Sequence, residues 1–99
     1  MKLKAIYDEA EKRVVSRLEE DVLIEHIEAL VKSGKYKDLT IRIPWDIINA
    51  GFSAREVCSW YEKYDCNDNH ITTLFRQIIK RNYPKAWSMI TDEKYRARR

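Results

Sequence analysis

The chain has 99 residues, 44% of them hydrophobic and 35% charged, with a formal net charge of +3. That length suits one domain and one core rather than two, and the recurrence of apolar residues along most of the chain argues against low-complexity disorder. No stretch approaches the ~20 uncharged apolar residues of a membrane-spanning helix, and Asp8 and Glu9 interrupt the start before the apolar run of a signal peptide could form.

The first third contains no proline or glycine before Gly34 and reads as helix. Tyr7, Ala10, Val14 and Leu18 share one helical stripe, and Leu23, Ile27, Leu30 and Val31 share another, turned to a different side. The change falls at Glu19-Glu20-Asp21. The favoured expectation is a break there with Asp21 as N-cap. The alternative is one long helix over residues 5–33 whose first half packs on another subunit or a partner. Gly34 suits a left-handed helix C-cap.

Leu39-Thr40-Ile41-Arg42-Ile43 alternates apolar and polar residues and is β-branched, which is a strand pattern. No second strand accompanies it, so the expectation is an extended connector or an edge that pairs with a second copy or a partner. Pro44 then opens a short helix from Trp45 to Ala50, closed by Gly51. Ser53 and Glu56 form a capping box for a helix reaching about Tyr64. Its inner face is Ala54, Val57, Trp60, Tyr61 and Tyr64, with Cys58 packed beside it in the core. Residues 65–69 are a polar turn.

From His70 to Arg81 the chain is plainly amphipathic, with Ile71, Leu74, Phe75, Ile78 and Ile79 on one side. A last short helix runs from Pro84 to Ile90 with Tyr83, Trp87 and Ile90 facing inward, and the basic tail at 94–99 reads as frayed. The fold class is therefore all-α: a single domain of five or six short helices with one extended segment at 39–43.

The charge is unevenly placed. Residues 1–50 hold 9 basic and 10 acidic side chains, whereas residues 76–99 hold 8 basic and 2 acidic ones. A basic end on an otherwise balanced domain points to an anionic partner, nucleic acid first. Catalytic arrangements are missing: two glycines form no phosphate loop, and neither His26 nor His70 sits in a motif that places a general base. Cys58, Cys66 and His70 lack the paired spacing of a structural zinc site. No metal, no cofactor and no enzymatic activity are expected, and the two cysteines suit a reduced, cytoplasmic setting.

A helix, a short polar turn and a second helix with polar outer residues describe a helix-turn-helix, whose second helix enters the DNA major groove. On that reading Asn69, Thr72, Thr73, Arg76, Gln77 and Lys80 meet base edges or phosphates, while Arg81, Lys85, Lys94, Arg96, Arg98 and Arg99 track the backbone. The five-residue turn without glycine departs from the motif, and the same pattern is also that of an ordinary solvated helix face. Tyr83, Trp87 and Tyr95 interleave with cations as in single-strand binding, although core packing explains the first two equally well. The leading expectation is a small regulatory protein that binds nucleic acid, DNA ahead of RNA. The other is an inhibitor or adaptor that docks on an acidic protein surface. In either case a homodimer could form through the N-terminal helix or segment 39–43.

Overall fold

In a computed structural model, residues 3–93 are described, and they form six α-helices: α1 (Leu3–Arg17), α2 (Glu20–Ser33), α3 (Leu39–Gly51), α4 (Ala54–Tyr64), α5 (Asp68–Asn82) and α6 (Pro84–Ile90). The all-α expectation holds. α5 is the central element, packing on α1, α3 and α6, and α6 in turn packs on α2 and α3. Six α5 side chains are buried: Ile71, Thr72, Leu74, Phe75, Ile78 and Ile79. No helix among the described residues is long and apolar enough to cross a membrane.

The N-terminal third breaks as expected, though Glu19 rather than Asp21 occupies the N-cap position of α2, without a side-chain cap bond. The buried stripe of α1 is Ile6, Ala10 and Val14, so Tyr7 stands at its margin. The break is held from outside. The Tyr83 hydroxyl donates to the Leu18 carbonyl at 2.6 Å, and the Glu20 carboxylate accepts from the backbone N–H groups of Lys85 (2.9 Å) and Ala86 (3.3 Å). Glu20 thereby supplies acceptors to the first turn of α6 and ties it to α2. Gly34 closes α2 at φ 70°, its amide bonded to the carbonyls of Leu30 and Val31.

Segment 39–43 is the main correction. It is not extended but forms the first turns of α3, so it offers no strand edge to a partner. Asp38 is the N-cap: its carboxylate accepts from the Thr40 amide at 2.9 Å and from the Thr40 hydroxyl at 2.7 Å. The period-two alternation also fits a period of four once residues beyond the proline are included, because Leu39, Ile43 and Ile47 are all buried, as are Thr40, Pro44 and Ile48. Pro44 therefore lies inside the helix, where it has no N–H to give the Thr40 carbonyl. Arg76 Nε, reaching over from α5, donates to that carbonyl at 2.8 Å.

Ser53 and Glu56 form the expected capping box at α4. Arg13 secures this corner. It donates to Glu56 at 2.9 Å and to the Gly51 carbonyl at 3.2 Å, and its guanidinium lies 4.5 Å from the centre of the Phe52 ring. Through the Arg13 bond first, and then the Ser53 amide, the Glu56 carboxyl is lowered from 4.5 to about 2. A carboxylate depressed in the folded state stabilises above its unfolded pKa, and that contribution disappears as pH falls through the folded one. Glu56→Gln keeps the cap but removes the charge. Its melting temperature is expected to lie below that of the parent at pH 7, with the gap closing as pH falls from about 4.5 to about 2. A gap of the same size at every pH would show that the charge is irrelevant.

Cys58, expected in the core, is exposed on α4, while Cys66 is half-buried. α4 meets the rest through a narrower front than expected: Val57 is its one buried residue, and Ala54 faces solvent.

Candidate nucleic-acid interface

The link between α4 and α5 is Asp65-Cys66-Asn67, three residues rather than five, because α5 begins at Asp68. Asp65 takes the left-handed conformation (φ 51°) that glycine often supplies in such turns. Asn67 caps α5. Its side chain accepts from the His70 amide at 3.1 Å, and its own amide donates to His70 Nδ1 at 3.0 Å. This contact uses Nδ1 as an acceptor and fixes the imidazole at the start of the helix. Tyr61 donates to the Asp68 carboxylate across the turn. Burial, followed by that carboxylate, pushes the Tyr61 hydroxyl far above the ordinary tyrosine value.

The expected contact residues divide into two groups. Asn69, Thr73, Gln77, Lys80 and Arg81 are exposed along one side of α5. Thr72 is buried: its hydroxyl donates to the Asp68 carbonyl at 2.8 Å and accepts from Trp45 Nε1 at 2.8 Å. Arg76 is half-buried and occupied by the Thr40 carbonyl. Thr72 does not belong to an outer contact face, and Arg76 stands at its margin. The reason is helical phase, since both side chains lean toward α3, where Pro44 and Trp45 leave an acceptor and a donor to satisfy.

Lys85 is exposed, but on the first turn of α6. Arg81 lies 3.6 Å from Glu11 and so is partly neutralised. Lys80 bonds to no carboxylate among the described residues. Lys94, Tyr95, Arg96, Arg98 and Arg99 lie outside the described residues.

Sequence reasoning missed the neighbours of this stripe. Leu3, Lys4 and Tyr7 of α1 line a hollow with His70, Thr73, Gln77, Lys80 and Arg81. Lys4 is paired with Asp8 at 3.1 Å. Only tertiary packing brings the first turns of α1 beside α5, so no local pattern announces it. The contact between His26 Nε2 and Asp46 at 2.7 Å, with Asp46 also accepting from Arg42 Nε at 2.9 Å, is likewise a product of the fold.

The aromatic rings are mostly engaged internally. Tyr83 is 3% exposed, and Trp60 packs with Phe52 and Phe75 at centroid distances of 5.1 and 6.2 Å. Among the described residues, no group of three or more His, Cys, Asp or Glu side chains is placed to hold a metal ion. Comparison with protein-family models, curated proteins and solved structures finds no match for the chain.

Proposed function

We propose that this protein binds duplex nucleic acid, DNA ahead of RNA, through the outer stripe of α5, and acts as a regulator by occupying its site rather than by catalysis. The observation that carries this reading is the exposed row Asn69, Thr73, Gln77 and Lys80 on a helix that follows a three-residue turn. A major groove about 12 Å wide admits an α-helix, and amide, hydroxyl and ammonium groups are the types that meet base edges and phosphates. Duplex is favoured over single strands because Tyr83, one of the rings that could stack on unpaired bases, is buried with its hydroxyl on the Leu18 carbonyl. The cations outside the described residues would add phosphate affinity without sequence preference.

The test is fluorescence anisotropy with labelled duplex DNA, duplex RNA and single strands over a range of salt. Lys80→Ala is expected to weaken binding to all duplexes alike and to reduce the slope of log K against log salt by about 1. Gln77→Ala is expected to reduce discrimination between sequences by about 1–3 kcal/mol. Absence of duplex binding at low salt would overturn the proposal.

The second reading is an adaptor that docks on an acidic protein surface, with Lys80, Arg81 and Lys85 meeting the carboxylates. Large apolar side chains left in solvent favour it: Val15 is 47% exposed, Val22 53% and Ile41 47%. A homodimer, under either reading, would use α1, where Val15 lies.

A further inference from the structure

An apolar groove of about 380 Å³ lies where the end of α1, the start of α2 and the end of α3 meet. Its walls include Val14, Leu18, Val22, Leu23, Ile47 and Phe52. The volume falls within the range of small-molecule sites, roughly 300–1,000 Å³, and apolar walls with a few polar groups at the margin are what such sites show. Val22 stands 53% exposed, an apolar cost that an occupant would remove.

Four ionisable side chains stand among the lining residues: Arg13, Arg17, His26 and Asp46. Arg13 is engaged by Glu56 at 2.9 Å and the Gly51 carbonyl at 3.2 Å. Asp46 is engaged by Arg42 at 2.9 Å and by His26 at 2.7 Å. Arg17 bonds to nothing among the described residues. The anion is thus already answered, and the unanswered charge is a guanidinium. A cationic ligand would find no free carboxylate here, and a neutral one would leave Arg17 unused.

The geometry points to a binding site for a small amphipathic monocarboxylate, its hydrocarbon body in the groove and its carboxylate accepting hydrogen bonds from Arg17. Arg17 lies one helical turn after Arg13 and lines the same groove, and of the two only Arg17 is without a carboxylate partner among the described residues. This inference uses none of the residues in the outer stripe of α5 and stands independently of nucleic-acid binding.

The test is a titration of the full chain, isotope-labelled for amide NMR, with three probes of equal chain length below their micelle concentrations: octanoate, 1-octanol and octylammonium. Octanoate is expected to give saturable shifts at Val14, Leu18, Val22 and Ile47, to bind more tightly than octanol, and to bind far more tightly than octylammonium. Arg17→Gln is expected to weaken octanoate roughly 5- to 10-fold, the scale of one charge-assisted hydrogen bond discounted for solvent, and to leave octanol within about twofold. Ala50→Trp, which fills the groove, is expected to abolish the binding of all three. Arg17 is exposed and structurally unattached, so the glutamine variant carries the test even if the tryptophan variant does not fold.

Equal affinity for the three probes, unsaturable shifts, or an octanoate affinity indifferent to Arg17→Gln would overturn the proposal. So would a sedimenting dimer with Val22 protected and no response to octanoate, which would place a second copy in the groove.

Discussion

Phe75→Ala is expected to lower the free energy of unfolding by about 3–5 kcal/mol, the scale for removing a fully buried aromatic ring. Phe75 has 0% exposure. Its ring meets Phe52 edge-on at 5.7 Å and Trp60 at 6.2 Å, and Phe52 meets Trp60 at 5.1 Å. These rings come from the α3–α4 link, from α4 and from α5. Since α4 buries only Val57 fully, the trio and the Arg13 clamp hold it in place. A domain of about 100 residues has roughly 5–15 kcal/mol of total stability, so the substitution would remove a large part of it. Urea unfolding followed by tryptophan fluorescence measures the loss. Phe75→Leu, which refills most of the volume, is expected to cost under about 1.5 kcal/mol. A loss below about 1 kcal/mol for the alanine variant would mean that the ring is not packed as described.

Arg76→Ala is expected to cost about 1–3 kcal/mol, because it strips the Arg76 donor from a carbonyl whose i+4 residue is a proline. The helical partner of the Thr40 carbonyl would be the amide of residue 44, and proline has none. The cause can be isolated by a double-mutant cycle with Pro44→Ala. That substitution restores a backbone N–H four residues after Thr40, so the cost of Arg76→Ala in its background should fall below about 1 kcal/mol. Pro44→Ala alone combines a restored bond with lost ring packing, and its sign is not the readout. An Arg76→Ala cost that is identical in both backgrounds would show that the Thr40 carbonyl is not what Arg76 serves. The result also bears on function, since Arg76 variants confuse loss of fold with loss of contact, whereas Lys80 variants do not.

The helices with strong local signals were legible in the sequence. Ser53 and Glu56 announce α4, Gly34 announces the end of α2, and the apolar stripe of α5 names its buried residues. The start of α3 was not legible. Three of its first five residues, Thr40, Ile41 and Ile43, are β-branched, and the segment precedes a proline, which both disfavour helix locally. Two tertiary or near-local facts decide otherwise: the Asp38 cap, and the donor that Arg76 brings from 36 residues away.

The candidate site was legible only in part, for a related reason. Helical phase separates inner from outer residues correctly at Leu74, Ile78, Gln77 and Lys80. Thr72 and Arg76 sit at the margins, where the decision depends on what the neighbouring helix leaves unsatisfied. Trp45 supplies a donor for Thr72, and the Pro44 turn supplies an acceptor for Arg76. Cys58 faces solvent for the opposite reason: α4 has little to pack against on that side. No local pattern marks Arg17, because its significance comes from the groove formed by three helices.

Presentation of the outer stripe of α5 to a duplex is tested most directly by amide NMR of the labelled chain titrated with a short DNA duplex. Saturable shifts concentrated at Asn69, Thr73, Gln77 and Lys80, diminishing as salt rises, are expected. Saturable shifts confined to other surfaces, with those four amides unmoved, would contradict it.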